Sequence, residues 1–250
     1  MLTFASAPAT ADIVNVQSVI SVEAKEGPSG SVTGALDYRR GNTERFVASL
    51  SPTLRYRIGP HLFITYGTGE YSRNDNIKTI FGHGRYRYQL TSRLTGEFFT
   101  QLEANPRRAL DRRALAGVGP LVKIAEGHGL RLSGAVAYML EYEDIDDLAL
   151  SSTEEEDPGL QHRISSYLTG SYQLADNLQL VETIYVQPLI TDPNDVRLLN
   201  ESQLSVAITS YLAFNASFTL SYDTEPNPIR ENTEGKRLNL QLKNSLTLQF

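Results

Sequence analysis

Leu238-Asn239-Leu240-Gln241-Leu242-Lys243-Asn244-Ser245-Leu246-Thr247-Leu248-Gln249-Phe250 is the stretch that decides the fold. Its even positions are apolar except Asn244, and none of its odd positions is. A strand sends successive side chains to opposite faces, so one face here is greasy and the other wet. The preceding segments repeat the pattern. Phe214, Ala216, Phe218, Leu220 and Tyr222 alternate with Asn215, Ser217, Thr219 and Ser221. Leu204, Val206, Ile208 and Leu212 alternate with Gln203, Ser205 and Thr209.

Alternation by itself also suits a half-solvated sheet in a soluble sandwich. Here it persists along the chain, in segments long enough to cross a bilayer at a tilt. The spacing predicts strands near 29–40, 43–58, 61–71, 78–90, 93–104, 112–125, 129–142, 162–174, 178–190, 198–212, 214–223 and 236–250. The expected fold is all-β: a transmembrane antiparallel β-barrel of about twelve strands, an even number as bacterial barrels require. Closure removes the edges that so many strands would otherwise expose.

Even positions read as lipid-facing throughout, including Leu62, Ile64 and Tyr66. Glu182, among Leu180, Ile184 and Val186, breaks the rule unless a bulge turns it inward. Short joins fall at Gly59-Pro60, Thr91-Ser92, Glu126 to His128, Asp176-Asn177 and around Ala213. Longer ones fall near 72–77, 105–111, 143–161, 191–197 and 224–235, with Gly41-Asn42 the one short exception. Short periplasmic turns and long outer loops then place both termini on the periplasmic side. Tyr38, Tyr138, Tyr142 and Tyr222 fall near one rim; Tyr56, Tyr86, Tyr88, Tyr172, Phe214 and Phe250 fall near the other, as two aromatic girdles would.

The composition agrees. In 250 residues no window approaches the ~18–20 apolar residues of a membrane helix. A mean hydropathy of -0.28 fits a barrel in which every second residue meets lipid. The net charge of -6 argues against a nucleic-acid partner. With no cysteine there are no disulfides or thiolate metal sites. Ala9-Thr10-Ala11 before Asp12 resembles a signal-peptidase site, so residues 1–11 read as the remnant of a signal peptide. Residues 12–28 read as a periplasmic N-terminal segment. Its apolar Ile13, Val14, Val16, Val19, Ile20 and Val22 leave open that it folds into the lumen as a plug. Residues 29–250 read as the barrel.

Phe250, ending an alternating last strand, looks like the signal read by the machinery that inserts outer-membrane barrels. The run from Gly30-Ser31-Val32 to Arg40-Gly41-Asn42-Thr43 resembles the opening of the YdiY-like family of salt-induced outer membrane proteins, a domain of unknown function. Leu180 through Pro188-Leu189 and Asp192, and Leu220-Ser221-Tyr222-Asp223 with Pro226 and Pro228, resemble its late strands. The resemblance spans residues 29–250. It implies a barrel in the outer membrane of a Gram-negative bacterium, and carries no reaction, ligand or catalytic residue.

Candidate residues follow from parity. Arg55, Arg57, Arg85, Arg87 and Arg131, with Glu97, Glu103 and Glu141, have lumen parity. A lipid-facing Arg costs ~2–4 kcal/mol at the midplane, so the lumen is their cheaper place. They form either a porin-like charged constriction that selects anions or a salt-bridged filling that braces the wall. Across the join at 91–92, Arg87 and Glu97 are expected neighbours. Arg107, Arg108, Arg112 and Arg113 cluster in an outer loop, where guanidinium groups suit lipopolysaccharide phosphates. The acidic loop from Asp144 to Asp157 lacks EF-hand spacing and reads as solvated. The partners expected are therefore outer-membrane lipids, lipopolysaccharide and the insertion machinery.

No enzyme signature is present. The four histidines, His61, His83, His128 and His162, are scattered, and no His-x-Ser, Gly-x-Ser-x-Gly or His-Glu-x-x-His occurs. His162 with Ser165 is a pair without a third member. No catalytic residue, metal or cofactor is expected.

Overall fold

The computed structural model describes residues 13, 15, 17, 26–39, 45–72, 77–106, 110–145, 159–226 and 237–250. Twelve strands follow in order: β1 (Gly27–Arg39), β2 (Arg45–Ile58), β3 (His61–Ser72), β4 (Ile77–Gln89), β5 (Leu94–Asn105), β6 (Leu110–Gly127), β7 (Leu130–Ile145), β8 (Gly159–Ala175), β9 (Leu178–Pro188), β10 (Val196–Ala207), β11 (Leu212–Asp223) and β12 (Leu238–Gln249). Each pairs antiparallel with its chain neighbours, and β1 pairs with β12, so the sheet closes. The short connections share one end, called the turn end below; the other is the loop end.

The outer surface is apolar. Leu36, Ile80, Leu102 and Leu242 are each more than 60% exposed, against every expectation for a water-facing wall. Aromatic rings band its ends: Tyr56, Phe63, Tyr88, Tyr172 and Phe250 lie toward the turn end, and Tyr71, Tyr138 and Tyr142 toward the loop end. This is a transmembrane barrel. The side chain of Tyr38 lies outside the described residues.

The seam is closed by the last residue. Gly30 and Phe250 exchange two backbone hydrogen bonds of 2.9 and 3.0 Å. The Phe250 ring packs over Gly30, 2.7 Å from where a Cβ would sit, so any larger residue there would have to push the ring aside. The register continues from Ser31↔Gln249 to Gly34↔Leu246 and, among the described residues, no farther.

Two-residue hairpins have a consequence for which side faces in. Ile58 opposes His61, Gly127 opposes Leu130 and Ala175 opposes Leu178, and each such turn sets an even residue against an odd one. In β6 a bulge between Lys123 and Ala125 restores parity, and in β8 one between Gln173 and Ala175 does the same. Nothing restores it between β2 and β3. The β3 strand therefore reverses the expected pattern: Leu62 and Ile64 are buried in the lumen with Phe81, and Phe63 faces out. Glu182 is also corrected. Val181 and Thr183 face inward and are buried, no bulge turns Glu182, and it stays on the outer face bonded to the Asn200 amide.

Candidate functional site: the barrel lumen

One side of the lumen, walled mainly by β4–β8, is ionic. Near the turn end Arg87 and Glu97 stand directly opposite each other, with Nε 2.7 Å from Oε2. Arg85 reaches the same oxygen at 3.2 Å. The Tyr167 hydroxyl donates to Glu97 at 3.0 Å and accepts from Arg87 Nη2 at 3.2 Å. Since Glu97 is on β5 and Tyr167 on β8, these bonds cross the lumen. Arg85 lies 5.3 Å from the centre of the Phe99 ring, a cation–π contact. It also donates to His83 Nε2 at 3.2 Å, which fixes that nitrogen as an acceptor.

Toward the loop end lies a larger cluster. Glu141 is fully buried and meets three guanidinium groups: Arg113, Arg163 at 3.1 Å and Arg197 at 2.9 Å. Glu143 pairs with Arg113 at 3.1 Å and Arg197 at 3.3 Å. Asp195 takes Arg163 in a two-pronged contact at 3.1 and 2.7 Å. Asp223 lies 3.4 Å from Arg197, and Glu103 lies 3.8 Å from Arg113. Three arginines thus face five carboxylates. A buried charge is tolerable only when paired in this way, and leaving either partner alone is strongly destabilising.

Between these clusters Phe99, Leu115, Ala137 and Met139 pack together. Gly117 makes room for the Phe99 ring, which occupies the place where a Cβ would stand. The residual cavity here is about 30 Å³, room for about one water.

The other side, formed by β10–β12 with β1 and β2, is built differently. A chain of neutral hydrogen bonds runs around the wall: Gln203 to Ser205 at 3.0 Å, Ser205 to Asn215 at 2.8 Å, Asn215 to Thr247 at 2.9 Å and Thr247 to Thr33 at 2.7 Å. These side chains are short and bond to their neighbours, so they leave the middle open. The cavity they border is about 180 Å³. Among the described residues, Arg55, Lys243 and Glu201 are the charged groups on its lining.

The candidates from the sequence separate accordingly. Arg85, Arg87, Glu97, Glu103 and Glu141 join the ionic side, Arg55 the open side, and Arg57 and Arg131 are half-buried near the turn end. The arginine loop divides. Arg107 and Arg108 lie outside the described residues. Arg112 is exposed and bonded to Asp144 at 2.6 Å. Arg113 is not a surface residue: it is 1% exposed inside the barrel, because β6 begins at Leu110 and carries it into the lumen. Most of the acidic loop lies outside the described residues. His162 and Ser165 are on opposite faces of the wall. The His162 ring bonds the Tyr138 hydroxyl outside, and Ser165 accepts from Gln187 inside at 2.9 Å. Among the described residues no group of acids and histidines could hold a metal.

Sequence reasoning missed Glu143, Arg163, Asp195, Arg197 and Asp223. All have odd numbers. The same parity that singled out Arg85 marks the four on strands, whereas Asp195 precedes β10 and carries no strand signal.

A family model described as "Protein of unknown function, DUF481" matches residues 32–242. The chain belongs to that family. No curated protein matches it. Among solved structures this DUF481 barrel is similar to the KdgM porin, with a TM-score of 0.52 and 8% identity over 89% of this chain and 99% of that one. It is similar to the NanC porin, with a TM-score of 0.57 and 10% identity over 88% and 100%. It is also similar to the translocator domain of the autotransporter NalP from Neisseria meningitidis, at 0.51 and 14% over 94% and 92%. At these identities the likeness is one of fold: an outer-membrane, porin-like barrel.

Proposed function

We propose that this chain is a narrow pore of a Gram-negative outer membrane that passes small uncharged hydrophilic solutes along its hydroxyl- and amide-lined side. It is no enzyme in this reading, and it is of the salt-induced type that the YdiY resemblance implies. The observation that carries it is the asymmetry of the lumen: about 180 Å³ of space on the neutral side against about 30 Å³ on the ionic side. Arg85, Arg87, Arg113, Arg163 and Arg197 are all engaged by carboxylates, so they offer no free track to an anion. The KdgM porin is known in complex with disordered oligogalacturonate, a polyanion. The quenched arginines favour a neutral solute here instead. Phe250 at the closing seam is the residue the insertion machinery would read, and the exposed Arg112 is the described candidate for contact with lipopolysaccharide phosphate.

A second reading is a non-conducting barrel that stiffens the envelope. The bonds that cross the lumen favour it. Single-channel recording of the refolded protein in a planar bilayer separates the two. The pore reading expects small discrete steps and a reversal potential near zero in a potassium chloride gradient. Arg85→Glu or Arg87→Glu in a folded protein should leave that selectivity unchanged. A marked anion preference lost on those substitutions contradicts the neutral path. Silence from a folded, inserted protein favours the structural barrel.

A further inference from the structure

The apolar outer wall carries one polar belt. On β9 Glu182 faces lipid, and its carboxylate accepts from the Asn200 amide on β10. Ser202 stands directly opposite Glu182. Asn244 on β12 also faces outward and is exposed. Among the described residues, no other carboxylate, lysine or arginine faces outward between the aromatic bands.

The belt lies at one depth. Counted from the turn end, Glu182 is four residues from Leu178, Ser202 is five from Ala207 and Asn244 is six from Phe250. At about 3.3 Å per residue and a tilt near 40°, that is roughly 10–15 Å from the turns, around the middle of an apolar band ~25 Å tall. Water and headgroups are out of reach there, and acyl chains offer no hydrogen bonds. The Ser202 hydroxyl and the Asn244 amide make no side-chain hydrogen bond among the described residues, and Glu182 has only the one to Asn200. Polar groups in hydrocarbon are costly, and they persist where a second protein surface meets them. No described part of the chain covers the belt. Ile13 and Gln17, which precede the barrel, are buried inside the lumen, against Tyr167 and, at 3.4 Å, Arg87.

The belt is its own complement. On β11 Ala216 opposes Asn244 on one side and Leu204 on the other, so β11 separates the amide of Asn244 from the acid and hydroxyl of Glu182 and Ser202. Copies inserted in the same direction are related by an axis along the membrane normal. A two-fold axis in front of Ala216 exchanges the two ends of the belt. Each Asn244 amide then meets the Glu182 and Ser202 side chains of the second copy, twice over, as a closed dimer requires. The small Ala216 at the axis lets the walls approach closely. A different protein offering a cation would satisfy Glu182 and leave Asn244 unmatched.

We propose that this face, centred on Ala216, docks a second copy of the chain within the membrane, with Glu182, Ser202 and Asn244 hydrogen-bonding across the interface. The dimer forms whether or not the lumen conducts.

The chain has no cysteine, so single thiols report position without background. The test uses the full chain refolded into phospholipid bilayers at a low protein-to-lipid ratio, with a membrane-permeant oxidant. Ala216→Cys should give a disulfide-linked dimer, and Leu102→Cys, on the outer face of β5, should not. Adding Asn244→Leu or, separately, Glu182→Leu to Ala216→Cys should slow cross-linking at least about tenfold, since two equivalent contacts are lost at once. Leucine suits a lipid-facing position, so strand content should be unchanged. Equal cross-linking from Ala216→Cys and Leu102→Cys in folded protein overturns the interface. Cross-linking that neither leucine substitution slows overturns the hydrogen-bonded pairing. Ala216→Cys that stays monomeric in pure lipid and links to a different protein in outer membranes overturns the self-dimer.

Discussion

On the β4–β8 side the polar side chains are long, charged and bonded across the lumen; on the β10–β2 side they are short, mostly neutral and bonded along the wall. Arg87, Glu97 and Tyr167 tie β4 and β5 to β8, and Arg197 ties β10 to Glu141 on β7. Gln203, Ser205, Asn215, Thr247 and Thr33 each bond to a neighbour on the same or the adjacent strand. Both solutions satisfy buried polar groups, as a low-dielectric wall demands. They differ in what is left over. A long charged side chain fills the space it crosses, and a short hydroxyl leaves it. The same alternating pattern can therefore brace one half of a barrel and keep the other half hollow, depending on the length of the inward residue.

The difference sets the size of the mutational effects. Glu141→Ala should be the most damaging single change, because it leaves Arg113, Arg163 and Arg197 sharing fewer carboxylates in a buried site. The expected loss is about 3–5 kcal/mol, read as a lower urea midpoint for unfolding from lipid bilayers. A midpoint equal to wild type would show that the cluster does not brace the wall. Glu97→Gln comes next, since Arg85, Arg87 and Tyr167 keep a neutral acceptor in place of a charge; about 1.5–3 kcal/mol is expected by the same assay. Thr247→Val on the open side should cost only about 0.5–1.5 kcal/mol, by removing bonds to Thr33 and Asn215 at the seam. If the threonine change proved as costly as the glutamate changes, the division into bracing and hollow sides would fail.

Much of this is legible in the residues. The alternation from Leu238 to Phe250 and its echoes specify strands and face, and the number and length of those strands point to closure. The pairing of Arg87 with Glu97 follows from the short join between them. The reversal in β3 is not legible, since it depends on a two-residue hairpin without the bulge that corrects it in β6 and β8. Arg113 is legible by parity, since it falls inside the strand expected at 112–125, and grouping it with the neighbouring loop arginines hides this. The place of Ile13 and Gln17 has no signal in period or spacing: a segment outside the sheet is positioned by the cavity it meets, and the cavity is assembled from strands far away in the chain.

Water and solute are expected to follow the hydroxyl side and to be kept from the ionic side. Single cysteines placed in the inserted, cysteine-free protein test this, using a small water-borne thiol reagent during current recording. Ser217→Cys, Ser245→Cys and Thr33→Cys border the large cavity, whereas Leu115→Cys and Ala137→Cys lie on inward positions of the braced side. The first set should react quickly and lose current on modification, and the second should remain unmodified with current unchanged. Rapid modification and block at Leu115→Cys or Ala137→Cys, with the hydroxyl side inert, would contradict the account.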